Sequence, residues 1–154
     1  MLHQRQLGAQ RFFGRIEAVN DVHEGGCQCG VIRYRIQGDP VRVGICHCKE
    51  CQRQSGSAFG MSFIVRKEAF ELLSGKPKTF TRTSESGRPV VCAFCPECGT
   101  RIYHEARWLA GVLNIKPGTL DDTSCLQPTG QVWTSRKQSW LKLPEIRSFE
   151  TQPF

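Results

Sequence analysis

Seven cysteines in three short motifs constrain this chain more than any other feature of its sequence. Gly26-Cys27-Gln28-Cys29-Gly30 is a C-x-C flanked by glycines. Cys46-His47-Cys48-Lys49-Glu50-Cys51 is a C-x-C-x-x-C, and Cys95-Pro96-Glu97-Cys98-Gly99 is a C-x-x-C. In extended backbone residues i and i+2 point to the same side, so Cys27 and Cys29 present two sulfurs together. The C-x-x-C turn does the same for Cys95 and Cys98. Together these four thiolates satisfy a closed tetrahedral zinc site that joins distant parts of the chain.

Cys46, Cys48 and Cys51 lie close enough to converge on one ion without help from elsewhere. His47 then points away from the side its neighbours share. Three protein ligands with an open position are the pattern of catalytic rather than structural zinc. Two alternatives stay open: a distant ligand (Cys92, Cys125 or His104) that closes the site, or no bound metal. The expectation is two zinc ions per chain, one per cluster.

The remaining cysteines and histidines read as ordinary. Cys92 sits in the apolar run Val90–Phe94 as a packed side chain, and Cys125 is an exposed thiol in a polar loop. His3, His23 and His104 have no ligand spacing. Nine cysteines cannot all pair within one chain, and a reducing compartment disfavours disulfides. The N-terminus lacks the apolar core of a secretory signal, and no apolar stretch approaches the ~20 residues that span a bilayer. Arg5, Arg11 and Arg15 precede the first acid, Glu17, as in a transit peptide, but the serine enrichment is missing. A cytoplasmic location without a membrane partner is the expectation.

A length of 154 residues suits one domain. Residues 1–23 differ in texture from the rest and read as a flexible N-terminal extension, with the domain at 24–154. Fifteen glycines and eight prolines favour turns and short strands over long helices. Ile32, Tyr34 and Ile36 alternate with Arg33 and Arg35, the period of a half-buried strand. The same alternation marks Val41–Ile45 and Phe59–Val65. Arg66–Leu73 reads as one or two helical turns, stopped by Gly75 and Pro77. Further strands are expected at Lys78–Thr83, Pro89–Phe94, Thr100–Glu105, Leu109–Ile115 and Gln131–Thr134, which makes the fold mainly β.

Lysine and arginine outnumber acids by 21 to 14, a formal charge of +7 that favours anionic partners. The positive charges are scattered, with no basic stripe interleaved with aromatics, so a nucleic-acid partner is not expected. Nothing in the sequence fixes an oligomeric state.

The segments GGCQCGVIRYRIQG, CHCKECQRQSGSAFG, FCPECGT and GTLDD, with a tryptophan-bearing tail, resemble the glutathione-dependent formaldehyde-activating enzyme family. That family also includes centromere protein V. The resemblance implies the Mss4-like zinc-containing β-sheet fold. It assigns Cys27, Cys29, Cys95 and Cys98 to a structural zinc, and Cys46, Cys48 and Cys51 to the zinc proposed to be catalytic.

The implied activity is that of a carbon–sulfur lyase acting on thiol–aldehyde adducts, as in S-(hydroxymethyl)glutathione synthase. The implied partners are a small thiol such as glutathione and an aldehyde. A carboxylated thiol needs cationic and hydrogen-bonding groups near the metal. Arg53 and Ser55, just past Cys51, are the candidate substrate contacts. Two rival readings are a non-catalytic zinc module for protein or nucleic-acid partners, and a thiol-based zinc or redox switch.

Overall fold

The computed structural model describes residues 21–153. Residues 1–20, most of the expected extension and His3 with it, lie outside the described residues. Among those described, the chain runs β1 (Val22–Gly26), β2 (Arg33–Gln37), β3 (Arg42–Cys46), α1 (Lys49–Ser55), β4 (Gly60–Arg66) and β5 (Phe70–Ser74). It continues with β6 (Lys78–Thr83), β7 (Pro89–Phe94), β8 (Arg101–Ala106), β9 (Val112–Ile115), β10 (Gly130–Val132) and β11 (Arg147–Ser148). The protein is mainly β, and no described helix is long and apolar enough to cross a membrane.

Two sheets form. The smaller has the order β1-β2-β5, and the larger has eight strands in the order β11-β10-β3-β4-β9-β8-β7-β6. Pairing is antiparallel except where β10 lies parallel to β3 and to β11. Strand β1 begins at Val22, opposite Gln37 of β2, so Val22 and His23 are part of the small sheet.

Side-chain alternation sorts the large sheet into two faces. On one, Val43, Phe63 and Ile115 lie in adjacent register and meet Ile32, which precedes β2, and Tyr34 and Ile36 of the small sheet in the apolar core. Tyr34 and Ile36 are buried while Arg33 and Arg35 turn outward to Asp121 and Glu24, as their alternation predicts. On the other face, register aligns Arg42, Ile64, Asn114, His104 and Cys92 across five strands. This second face carries polar and charged groups, and among them Asn114 is buried.

Two local expectations are corrected. Arg66–Leu73 is not a run of helical turns: Lys67–Ala69 forms a single 3-10 turn, and Phe70 onward is strand β5. Phe70 and Leu72 alternate and pair with Ile36 and Tyr34, and that pairing outweighs local helical preference. The strand expected at Leu109–Ile115 starts only at Val112. The helix α1 runs between Cys48 and Gly56.

Candidate metal centres and the cavity beside them

The two cysteine clusters assemble in space. The sulfurs of Cys27, Cys29, Cys95 and Cys98 lie within 4.8 Å of one another, and so do those of Cys46, Cys48 and Cys51. All nine cysteines are free thiols.

The tetrad is built from two knuckles. After β1, the Cys27 carbonyl accepts from Gly30 N–H at 3.0 Å, and Cys27 Sγ accepts from Ile32 N–H at 3.2 Å. Between β7 and β8, the Cys95 carbonyl accepts from Gly99 N–H at 2.9 Å. Thr100 links the knuckles: its Oγ1 accepts from Gln28 N–H at 3.2 Å and lies 3.1 Å from Cys98 Sγ. The Thr100 hydroxyl lowers the Cys98 thiol to about 5, towards the thiolate that a metal requires. Zinc–sulfur bonds of about 2.3 Å at tetrahedral angles imply sulfurs about 3.8 Å apart. Cys27 and Cys29 stand 3.4 Å apart, and Cys29 and Cys95 3.8 Å apart. Distance and donor type both fit a closed metal site.

The triad depends on α1. Cys46 ends β3, Cys48 caps the helix, and its sulfur accepts from Cys51 N–H at 3.3 Å. A side chain at the N-cap and one at the third helical position share one end of the helix, which brings their sulfurs together. The helix closes at Gly56 in the left-handed conformation (φ 61). Gly60 of β4 supports Cys51 from beneath: a Cβ added there would stand 3.1 Å from Cys51 Cβ. Gln52 ties the loop down, donating from Nε2 to the His47 carbonyl at 2.8 Å and to the Arg136 carbonyl at 3.2 Å.

Charge within the triad is uneven. Cys51 is held well below the ordinary thiol value by hydrogen bonds from Cys46 and Cys48, helped by the charges of Lys116 and Arg82. Cys46 is pushed up by its bonds to Cys48 and Cys51. Three thiols this close share protons, and a bound cation is what lets all of them ionise.

The triad lines a cavity of about 650 Å³, whereas none of the tetrad cysteines does. Arg42, Arg82, His104, Asn114, Trp108 and Trp133 are among the other lining residues. Behind His104, Lys116 Nζ lies 3.0 Å from its Nδ1. Burial brings the Lys116 ammonium down to about 8. Burial, followed by the charges of Lys116, Arg82 and Arg101, holds His104 well below its usual value, so its ring is neutral. Trp133 has a left-handed backbone (φ 58), a conformation costly for a bulky residue and typical of binding sites.

Among the described residues no fourth ligand joins the triad, so Cys92, Cys125 and His104 do not close it. Cys92 is fully buried beside His104 in register, and Cys125 is exposed with its sulfur 4.0 Å from His23 Nδ1. His47 turns away from the cluster onto Gln131. Arg53 and Ser55 do not line the cavity. Arg53 is exposed and pairs with Glu50, and Ser55 Oγ donates to the Phe59 carbonyl at 2.8 Å. The helix carries both away from the sulfurs. Arg82, Asn114 and Lys116 escaped the sequence reading, and His104 entered it only as a possible triad ligand, because these residues share no local motif.

A family model described as glutathione-dependent formaldehyde-activating enzyme matches residues 22–136. A crystal structure of a Rhodobacter sphaeroides protein is similar in fold, with a TM-score of 0.51 at 17% identity. The similarity covers 64% of this chain and 87% of that one.

Proposed function

Because the chain belongs to the glutathione-dependent formaldehyde-activating enzyme family, we propose that it catalyses the reversible addition of a small anionic thiol to an aldehyde. Glutathione and formaldehyde are the reference pair, and the reverse reaction is carbon–sulfur lyase chemistry. Cys27, Cys29, Cys95 and Cys98 would hold a structural zinc, and Cys46, Cys48 and Cys51 a second one. Zinc bound by the triad would supply a position at which an incoming thiol is stabilised as its thiolate.

The observation that carries this reading is that the triad, and not the tetrad, faces the cavity. A closed site fixes the fold, whereas one that opens onto a chamber can meet a substrate. The chamber suits an anion. Arg42, Arg82 and Arg147 line it and are matched to carboxylates by their planar forks. Trp108, Trp133 and Phe149 supply apolar walls that limit water around the reacting atoms. These cations replace Arg53 and Ser55 as the proposed substrate contacts.

Exchange NMR on formaldehyde with a panel of thiols, comparing the wild type with Cys48→Ser, tests the proposal. Faster exchange with the wild type alone is expected for at least one carboxylated thiol. Identical exchange with both proteins across the panel would reject it.

A further inference from the structure

The proposed reaction has two ends, a sulfur and an oxygen, and the triad accounts only for the first. As a C–S bond forms, the carbonyl oxygen gains charge and needs donors aimed at it. The polar face of the large sheet supplies groups of that kind. His104 and Asn114 are direct neighbours in the β8–β9 register, and both line the cavity that the triad enters.

Two observations mark them as donors towards a ligand. Asn114 is only 5% exposed, and its side-chain Nδ2 has no hydrogen-bond partner. A buried amide left without a partner is destabilising, which sites tend to tolerate where a ligand supplies the missing acceptor. His104 is fixed by its neighbour: Lys116 Nζ lies 3.0 Å from Nδ1, and an ammonium can only donate. The ring proton therefore sits on Nε2, and His104 is one of the residues that line the cavity.

We propose that His104 Nε2–H and Asn114 Nδ2–H hold the aldehyde oxygen, with Lys116 as the positioning residue that supplies protons through His104. This rests on the thiol–aldehyde reading above. In the addition, the thiolate pair forms the S–C bond and the carbonyl π pair moves to oxygen. That oxygen takes the Nε2 proton while Nδ1 takes one from Lys116. The proton that the thiol released to solvent then restores Nε2, as Nδ1 returns its own to Lys116. Thiol plus aldehyde gives the S-hydroxymethyl thioether, with no oxidant or reductant. Burial keeps Lys116 near 8 and so able to give up a proton at neutral pH.

The test measures glutathione–formaldehyde exchange and, separately, affinity for S-methylglutathione, which keeps the thiol skeleton but lacks the oxygen. His104→Phe is expected to lower kcat at least about 100-fold, with S-methylglutathione affinity unchanged. His104→Gln, which retains a donor, recovers part of the loss. Lys116→Met flattens the pH profile of kcat near neutrality, and Asn114→Leu lowers kcat without weakening the thioether. Nitrogen-15 NMR of the resting wild type is expected to place the His104 proton on Nε2. A proton on Nδ1, or kcat retained in both His104→Phe and Asn114→Leu, would overturn the assignment. A wild type that exchanges no faster than Cys48→Ser overturns the thiol–aldehyde reading and this inference with it. A wild type that exchanges alongside an unimpaired His104→Phe overturns this inference alone.

Discussion

Gln131 Oε1 accepts a hydrogen bond from His47 Nε2 at 2.8 Å, and both side chains are buried. An amide oxygen only accepts, so Nε2 carries the ring proton. Gln131 Nε2 donates onward to Ser148 Oγ at 2.9 Å. The residue between Cys46 and Cys48 is thereby anchored through β10 to β11.

Breaking this anchor should loosen the triad first. His47 Nδ1 has no partner of its own, so Gln131→Leu leaves a buried imidazole with no side-chain hydrogen bond. The expected cost is about 1–3 kcal/mol, read by denaturant unfolding. Metal at the triad should be lost before metal at the tetrad, while Gln131→Glu, which keeps an acceptor, should retain more of both. Equal loss from the two clusters would count against the anchor.

The clusters should differ in what they hold up. The tetrad ties the β1–β2 turn to the β7–β8 turn, and Cys27 and Cys95 belong to the apolar core. Structural zinc contributes on the order of 10 kcal/mol in small zinc domains, so Cys95→Ser should unfold the protein by circular dichroism. Replacing Cys46, Cys48 and Cys51 together with serine should leave it folded, with zinc falling from about two per chain to about one. An unfolded triad variant beside a folded Cys95→Ser would reverse the assignment.

Lys116 makes stability depend on alkaline pH. Burial lowers its folded value from 10.5 to about 8, so between those limits the unfolded chain binds more protons than the native one. Stability from this group therefore rises with pH across that window, and its burial cost is felt in full below about 8. Wild type should gain on Lys116→Met by up to about 3 kcal/mol between pH 8 and pH 10.5. Paired urea titrations at the two limits measure it, and a constant difference would show that Lys116 titrates as an exposed lysine.

The sequence made the sulfur clusters legible because their geometry is local. Cys27 with Cys29, Cys95 with Cys98, and Cys46 with Cys48 and Cys51 need only a strand, a tight turn or one helical turn to converge. The strands were legible for the same reason, since alternation is a property of five or six neighbouring residues. Phe70 and Leu72 were misread because their partners, Ile36 and Tyr34, lie on another strand. The cavity was hidden more deeply. His104, Asn114 and Arg42 become neighbours through the register of four antiparallel strands, and no spacing in one segment encodes that. Arg53 and Ser55 follow Cys51 closely in sequence yet stand outside the cavity lining, because α1 turns between them and the Cys51 sulfur.

Trp133 offers a last separation of structure from binding. Its left-handed backbone costs a non-glycine residue about 1–2 kcal/mol, and it is the only such residue among those described. The turn itself is held by backbone bonds that any residue makes, from Arg136 N–H to the Trp133 carbonyl at 2.9 Å and from Thr134 N–H to the Phe149 carbonyl at 3.1 Å. Were Trp133 retained for the fold alone, glycine would relieve the strain and serve as well. The indole lines the cavity instead, where it meets whatever binds beside the triad. Trp133→Gly should therefore change thermal stability little, because relieved strain offsets lost packing, yet weaken S-methylglutathione binding about tenfold, equivalent to about 1.4 kcal/mol. Calorimetric titration of the two proteins decides it: unchanged affinity would leave the strained tryptophan without a role in the cavity.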